Sequence, residues 1–479
     1  MIKTYILKFL FVQWLICAIS LTMASNPSNQ NDVLTSINRF ITIQSEDRRI
    51  YMHHCRRVMD VVLASLEKSS DLFKKMSKGI EFSGSYRDNL KVSKPDEYDI
   101  NLKMKLPLKS TGVIVAAAPN KPGYVRINIK DLLKAMQTSS GLQEAEKELA
   151  KLTDDAGNLL QNKWLSWFEG KLFICKDEIE MNLNTEYILR YTKSGPAHTI
   201  NVTSRKDLSK FSIDFVIGIT FDLANETWRA TRQIPISSKP EDNYWISIPK
   251  PNKDIPGANN PFWIASYPAQ ENRIIHDKNR LKDAIRFIKK LRDHQNLQNL
   301  KSFYIKNVVM LEVDRRVSSY WNNPIATVVK DMLGAVRDCL DVGKIPSYWN
   351  SGNNLIGGFS ERQNKDIAAK LSSILLIWTT SMDRERIMRT ILTDAEIEEL
   401  NVSQNFNIRG MANLCLVRSD TAQQGRLTYD SDDDYSTPYL ETTNSETNIY
   451  RNAAILAGVT GAIAAGLYLF TRPSNNRNN

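Results

Sequence analysis

Residues 81–106 read EFSGSYRDNLKVSKPDEYDINLKMKL, and the second part of this stretch alternates strictly between polar and apolar side chains. A period of two predicts a half-buried strand from Glu97 to Leu106. Glu97 and Asp99 therefore project from the same face of that strand, close together. Two neighbouring carboxylates repel each other unless a cation lies between them, and oxygen ligands of this kind suit magnesium or manganese. The stretch predicts a metal-binding carboxylate pair on a strand.

A Gly-Ser pair precedes these carboxylates by a short hydrophilic run. Because glycine has no Cβ, Gly84 and Ser85 can bring backbone N–H groups and a hydroxyl against a phosphate. A phosphate-binding turn followed by a metal-binding carboxylate pair provides the groups that nucleotidyl transfer requires. Either feature alone is more often an ordinary solvated surface. Their combination at this short separation favours a functional site.

A third acidic side chain lies in a strongly apolar tract near the middle of the chain. Residues 210–219 read KFSIDFVIGI, so Asp214 lies on the face opposite to a row of alternating apolar side chains. An acid in such surroundings needs a partner or a metal ion. A structural salt bridge is the alternative interpretation of Asp214.

The Gly-Ser pair, the Glu-x-Asp pair and the distant Asp214 together form a signature of nucleotidyltransferases. Residues 84–107, GSYRDNLKVSKPDEYDINLKMKLP, closely resemble cyclic GMP-AMP synthase and the animal cGAS-like receptors of the Mab-21 family. The resemblance implies an α+β, bilobal nucleotidyltransferase fold, with a mixed twisted β-sheet in the catalytic lobe and a helical C-terminal lobe. It also implies that two divalent ions, Mg²⁺ or Mn²⁺, are held by the catalytic acids Glu97, Asp99 and Asp214.

Residues 278–293 show the apolar stripe of an amphipathic helix, with Lys and Arg on the other side. A solvated surface is the simple interpretation of that basic side. The resemblance instead assigns Arg286 and Lys289 to the triphosphate of a bound nucleotide. It further assigns Ser302 to a phosphate and Phe303 to stacking on a base, although Phe303 alone would be interpreted as a core residue. The implied nucleotide-binding residues are Gly84, Ser85, Arg286, Lys289, Ser302 and Phe303.

The resemblance implies that the chain condenses ATP and GTP into a cyclic dinucleotide such as cyclic GMP-AMP. It implies a role as a nucleic-acid-activated sensor in innate immunity and antiviral defence. The family has a Trp-Arg-x-Ser-aromatic element in which this chain carries Ile264 in place of the Arg, so the choice of bases stays open. One alternative is a catalytically silent, membrane-tethered protein of the same fold that binds a nucleotide or a partner. A weaker alternative is a template-free polymerase that adds linear adenylates.

The net charge of +10 over 479 residues favours a polyanionic partner. Residues 31–78 predict one long helix or a broken pair, and Arg49, His53 and Arg56 share one of its faces. By spacing alone that face is a solvated one, whereas the resemblance implies a spine helix whose basic side meets an activating duplex. The sequence lacks the His/Cys cluster that builds the zinc thumb of vertebrate cyclic GMP-AMP synthase, and in this it resembles the invertebrate receptors. That resemblance implies double-stranded RNA rather than DNA as the ligand. A-form RNA is recognised through its shape and its phosphates, which Lys and Arg can provide.

Both ends of the chain contain apolar runs. Residues 9–24 are interpreted as a secretory signal, a membrane anchor or an extension outside the working protein. Residues 453–470 are uncharged and just long enough to span a bilayer, so we expect a membrane-anchored protein with its catalytic body in the cytosol. The expected organisation is a hydrophobic N-terminal segment (1–30), a catalytic lobe with the spine helix (31–255), a helical lobe (256–418), an acidic disordered linker (419–448), a transmembrane helix (449–471) and a short tail (472–479).

Further patterns predict the secondary structure of the rest of the chain. They predict a strand at 125–129, a largely helical region over 130–193, and helices at 326–342, 361–382 and 384–400. Trp164, Trp167 and Phe168 are expected to lie in the core rather than to form a base-stacking platform.

Overall fold

Nine strands within the described residues form a single mixed β-sheet. The structure is a computed structural model, and it describes residues 27–108, 112–119, 121–194, 197–223, 232–250, 260–381 and 383–403. In chain order the strands are β1 (Ser77–Ser83), β2 (Glu97–Met104), β3 (Ile114–Ala117), β4 (Tyr124–Asn128), β5 (Tyr187–Ser194), β6 (Ala197–Ser204), β7 (Lys210–Asp222), β8 (Tyr244–Ile248) and β9 (Phe262–Ser266). Their spatial order is β1-β2-β7-β8-β9-β4-β3, and the hairpin β5–β6 joins the sheet through β6, which pairs with β7.

The sheet is mixed because β2 and β7 pair in parallel, whereas the other strand pairs are antiparallel. Parallel neighbours need a long crossover connection. Here the crossover contains β3, β4, several helices and the hairpin β5–β6. Residues far apart in the sequence can therefore become direct neighbours on β2 and β7.

Strict alternation buries one face of the two parallel strands. On β2 the side chains of Tyr98, Ile100, Leu102 and Met104 are buried, while the acids lie on the other face. On β7 the row of apolar residues that alternates with Asp214 is buried in the same way. The strands predicted at these positions and at 125–129 are confirmed.

Helices precede and interrupt the strands along the chain and make up the C-terminal part of the described residues. In chain order they are α1 (Pro27–Ile41), α2 (Ser45–Ser69), α3 (Asp71–Met76), the single turn α4 (Gly84–Arg87), α5 (Lys130–Thr138), α6 (Gln143–Ala150), α7 (Gln161–Leu183), α8 (Pro268–Ile275), α9 (Asn279–His294), α10 (Ser302–Arg315), α11 (Ile325–Asp341), α12 (Glu361–Thr380) and α13 (Arg384–Met388). The region expected as one long helix or a broken pair is divided into α1, α2 and α3, and the helices expected at 326–342 and 361–382 are confirmed.

Two helical expectations are wrong in part. The helix expected at 384–400 is interrupted after α13, and residues 394–403 are helical again. Thr393 and Glu396 explain the restart, because each side chain accepts a hydrogen bond from the other residue's backbone N–H. The region 130–193 ends in a strand rather than in helix, since β5 and β6 form a hairpin after α7.

Helix α7 covers the apolar face of the sheet, opposite to the acids. Trp164 and Phe168 are fully buried, and Phe168 meets Phe215 of β7 edge to face with ring centroids 6.0 Å apart. The indole N–H of Trp164 donates to the Ile217 carbonyl at 3.2 Å. Trp167 is partly buried against the same core. The aromatic cluster is therefore packed core, as predicted.

The helices after β9 pack against one another through apolar stripes. Ile285, Ile288 and Leu291 of α9 are completely buried, as the amphipathic pattern predicts. A mixed sheet followed by a helical C-terminal region confirms the expected α+β fold class. The expected lobe boundary at residue 255 stays a prediction, although β9, which follows it, still belongs to the sheet.

The expected membrane-anchored localisation is contradicted. In the described ranges no helix combines the length and apolar character needed to cross a bilayer. The long helices α2, α7 and α12 each contain several charged side chains. The apolar segments 9–24 and 453–470 and the acidic stretch 419–448 lie outside the described residues.

Candidate active site

The register of β2 against β7 brings the three acids together. In this parallel pair Asp99 lies directly beside Asp214, and Glu97 lies two residues before Asp99 on the same face. Carboxylate oxygens of Glu97, Asp99 and Asp214 all lie within 4.8 Å of one another. The three acids therefore form one cluster, which is the arrangement expected for the catalytic set.

The electrostatics of this cluster fit a divalent ion. Burial, together with the neighbouring carboxylates of Glu97 and Asp214, raises the pKa of Asp99 to about 6. The rise reflects first the removal of the Asp99 carboxylate from water and then its repulsion by the two neighbouring acids. The donor set consists of oxygens only, which is the chemistry that Mg²⁺ and Mn²⁺ prefer. The residues present therefore fit the ions that the sequence predicts.

Two further side chains hold the acids in place. Lys91 lies beside Glu97 with its Nζ 2.7 Å from Oε2, and it also lies 3.0 Å from Asp96. On the other side, the hydroxyl of Thr199 donates to Oδ1 of Asp214 at 2.6 Å. Sequence reasoning missed both residues. Lys91 could have been identified, because it lies between the Gly-Ser pair and the acids in the sequence. Nothing in the sequence placed Thr199 near Asp214.

Gly84 is packed against the acids so closely that no side chain fits. Its φ is +60°, and a Cβ added there would lie 1.9 Å from Oδ2 of Asp99. The turn α4 begins at this glycine, and the Leu90 N–H donates to the Ser85 carbonyl at 2.7 Å. Glycine is thus required both by the backbone conformation and by the approach of Asp99.

An open cleft of about 560 Å³ lies next to the acids. Its size falls in the range of small-molecule sites. Ser302 and Phe303 stand at the start of α10, and Phe303 is 50% exposed rather than buried in the core. The predicted residues that line the cleft are Gly84, Ser85, Glu97, Asp99, Lys289, Ser302 and Phe303.

The two basic residues predicted on α9 differ in their surroundings. Lys289 lines the cleft, and its Nζ donates to the Leu90 carbonyl at 2.8 Å. Burial lowers the pKa of Lys289 to about 8, with the positive charges of Lys91 and Arg292 adding to the effect. Arg286 instead pairs with Asp283 and donates to the Asn89 carbonyl at 2.8 Å. The structure therefore brings Lys289 to the cleft wall, while Arg286 supports the loop behind it.

A buried ion-pair network forms the far wall of the cleft. Lys306 of α10 contacts Asp88, which follows the turn α4, and its Nζ lies 2.8 Å from Oε2 of Glu271 on α8. The indole N–H of Trp349 donates to Oε1 of Glu271 at 3.1 Å. Burial alone lowers the pKa of Lys306, but Glu271 and Asp88 outweigh it and hold the pKa above its ordinary value. Sequence reasoning did not identify this network.

The loop that follows the Gly-Ser turn also contacts the spine helix α2. The guanidinium of Arg48 lies 4.9 Å from the ring centroid of Tyr86 and donates to the Asn89 side chain. Arg49, His53 and Arg56 on the same helix are exposed. Residues 84–91 are therefore held between α2 on one side and α9 on the other.

Comparison with known protein families agrees with this geometry. Residues 86–277 match the Mab-21 protein nucleotidyltransferase domain, and residues 280–373 match the Mab-21 protein HhH/H2TH-like domain. The first match contains the three clustered acids. The second contains α9 from its second residue onward and all of α10 and α11.

Three relatives align with about two thirds or more of this chain. The chain is 33% identical to cyclic GMP-AMP synthase-like receptor 1 of Drosophila melanogaster over 350 residues, which cover 71% of this chain and 89% of that protein. It is 31% identical to the protein of the same name in Drosophila erecta over 338 residues, covering 68% and 73% respectively. It is 30% identical to the cyclic GMP-AMP synthase-like receptor of Lucilia cuprina over 349 residues, covering 71% and 89%.

Proposed function

The chain belongs to the Mab-21 family of nucleotidyltransferases, in the group of cyclic GMP-AMP synthase-like receptors, and on this basis we propose that it makes a cyclic dinucleotide such as cyclic GMP-AMP from ATP and GTP. The enzyme acts as an innate immune sensor and is activated by double-stranded nucleic acid, with RNA favoured over DNA. The observation that carries the proposal is the cluster of Glu97, Asp99 and Asp214 beside the Gly84 turn.

The three acids are assigned to hold Mg²⁺ or Mn²⁺. Ions bound there supply Lewis-acid activation of a ribose hydroxyl and neutralise charge on the phosphoryl group being transferred. The chain's own contribution is to fix the carboxylates before the substrates arrive. The approach of Asp99 to Gly84 and the hydrogen bond from Thr199 to Asp214 both support this role.

The cleft residues are assigned to the nucleotides. Gly84 and Ser85 offer a backbone N–H and a hydroxyl to phosphates, and the Lys289 ammonium faces the same space. Ser302 stands beside them as a further phosphate contact. The exposed ring of Phe303 is available to stack on a base. In this proposal Arg286 acts indirectly, because it supports the loop through the Asn89 carbonyl.

Activation by a duplex is supported by the position of α2. Its exposed basic residues Arg49, His53 and Arg56 can meet phosphates without base-specific contacts. Arg48 of the same helix contacts the Asn89 side chain, in the loop that ends at the acids. A shift of α2 on duplex binding therefore reaches the Gly-Ser turn directly.

The proposal is tested by supplying the full-length chain with labelled ATP and GTP, Mn²⁺ and duplex RNA or DNA. The wild type is compared with a Glu97→Ala/Asp99→Ala variant and with Glu144→Ala, an exposed acid that pairs with Lys147 on α6. We expect a cyclic product from wild type and from Glu144→Ala, stimulated more by RNA than by DNA. The double variant should produce none.

Three other results of this experiment would contradict the proposed function. Equal product from wild type and the double variant would refute the assignment of the acids. Nucleotide binding without turnover under any duplex would favour a catalytically silent member of the same fold. Linear adenylates in place of a cyclic product would indicate a template-free polymerase.

A further inference from the structure

The third acid of the cluster has a neighbour on each side. Asp214 lies between Asp99 on β2 and Thr199 on β6, and both are its direct partners in the sheet register. The Thr199 side chain approaches Asp214 with 2.6 Å between Oγ1 and Oδ1. Thr199 does not belong to the acid cluster, although its hydroxyl contacts one of the three acids.

The direction of this hydrogen bond is fixed by chemistry. An ionised carboxylate has no proton to give, so the Thr199 hydroxyl is the donor and Asp214 the acceptor. A hydrogen bond with an ionised acceptor is shorter and stronger than one between neutral groups. Threonine is branched at Cβ and has restricted side-chain rotation, so its hydroxyl holds a defined position. The bond therefore limits the rotation of the Asp214 carboxylate.

The other two acids are held by different means. Glu97 contacts the Lys91 ammonium at 2.7 Å, and Asp99 packs over the Cα of Gly84. Asp214 has neither a lysine nor a glycine of this kind beside it among the described contacts. Its orientation depends on the hydrogen bond from the neighbouring strand.

We propose that Thr199 is a positioning residue that orients the Asp214 carboxylate for divalent metal binding. The inference rests on the proposed function, because it requires that the acid cluster holds Mg²⁺ or Mn²⁺. Groups that hydrogen-bond to a metal ligand fix its direction, and their removal typically weakens metal binding about tenfold or more. Loss of the Thr199 hydroxyl leaves the ligand in place but removes its orientation.

The test measures Mn²⁺ binding to the full-length chain by isothermal titration calorimetry, without nucleotide. Thr199→Val removes the hydroxyl and keeps the shape, whereas Thr199→Ser keeps the hydroxyl. Thr203→Val is the matched control, because Thr203 lies on the same face of β6 but opposite Lys210 rather than an acid. The melting temperature of each metal-free variant reports on folding.

We expect Thr199→Val to weaken Mn²⁺ binding about tenfold. Thr199→Ser and Thr203→Val should bind Mn²⁺ as the wild type does. Metal-free Thr199→Ser and Thr203→Val should melt within about two degrees of the wild type, because neither loses a hydrogen bond to an acid. Metal-free Thr199→Val should melt somewhat lower, because it loses a hydrogen bond to a carboxylate, but it should still unfold in one cooperative transition.

Two outcomes overturn the inference. Wild-type affinity in Thr199→Val shows that the hydroxyl does not orient the acid, and equal weakening in Thr199→Ser and Thr199→Val shows that packing is responsible. Both leave the proposed function intact. A wild-type chain that binds no Mn²⁺ is a different result, because it removes the metal-dependent function together with this inference.

Discussion

Gly84 combines a positive φ with close packing against Asp99, one of the acids of the proposed metal site. We predict that Gly84→Ala abolishes Mn²⁺ binding, because its methyl group would lie 1.9 Å from Oδ2 of Asp99 and must displace that carboxylate. The positive φ of +60° adds a backbone penalty of about 1 kcal/mol. Calorimetric titration of Mn²⁺ and the melting temperature measure the two effects separately.

Gly79→Ala provides the control for this substitution. Gly79 has a φ of +76°, so it carries the same kind of backbone penalty, but a Cβ there meets no atom within 4 Å. We expect a similar loss of stability and unchanged Mn²⁺ binding. Mn²⁺ binding by Gly84→Ala at the level of Gly79→Ala would contradict the close packing against Asp99.

The raised pKa of Asp99 makes the stability of the folded chain depend on pH. Its pKa in the folded chain is raised to about 6 from an ordinary 3.8, so the folded state binds the proton more tightly than the unfolded state. The stabilisation from this proton is complete below pH 4 and is lost as the pH rises through 6. We predict that Asp99→Asn makes the metal-free protein more stable by about 2–3 kcal/mol at pH 7.5.

The measurement is denaturant unfolding of the metal-free wild type and Asp99→Asn across pH 4 to 8. The two stabilities should converge towards pH 4, and Mg²⁺ at pH 7.5 should stabilise the wild type more than the variant. A difference in stability that does not change with pH would show that the Asp99 charge is not the cause.

Single residues differ in how far their sequence context predicts their role. Glu97, Asp99 and Asp214 could be predicted because each lies on the face of its strand opposite to a row of alternating apolar side chains. Arg286 and Lys289 could not be told apart by helix periodicity, since both belong to one basic side. In the structure Arg286 forms an ion pair with Asp283, which lies one turn earlier on the same helix, and it does not line the cleft.

At the scale of elements, strands with one buried face are the predictable ones. β2 and β7 alternate strictly because one face lies on the core. β5 was missed because most of its side chains are exposed, so the sequence of the edge strand shows no clear alternation. Thr199 was missed with it, since its approach to Asp214 depends on how β6 pairs with β7.

The hairpin β5–β6 is also tied to α2. His54 is buried there, with Nδ1 3.0 Å from the Tyr187 hydroxyl and Nε2 3.1 Å from Asp207. Arg57 on the same helix pairs with Glu186 at 2.7 Å. The element expected to meet a duplex therefore contacts both the Gly-Ser loop and the strand pair that carries Thr199.

At the scale of the whole molecule, Lys306 joins the sheet region to the helices across the cleft. We predict that Lys306→Met destabilises the protein by about 3–5 kcal/mol, because it leaves the carboxylates of Asp88 and Glu271 without their buried cation. Denaturant unfolding measures this loss. A second substitution, Glu271→Gln, should recover part of it by removing one of the two charges.

Lys365→Met is the matched control for this prediction. Lys365 also pairs with an acid, Asp341, but both side chains are more than half exposed. Exposed pairs of this kind contribute about 0–1 kcal/mol. A loss in Lys306→Met as small as in Lys365→Met would show that the buried network does not hold the cleft together.

The parallel pairing of β2 with β7 also matters during synthesis. During translation the Gly-Ser turn, Glu97 and Asp99 are synthesised early. Asp214 is synthesised only after the whole crossover between β2 and β7. Until then the nascent chain contains Glu97 and Asp99 but lacks the third acid of the proposed metal site. A polypeptide released prematurely within the crossover lacks β7 and with it Asp214, so it cannot complete the proposed metal site.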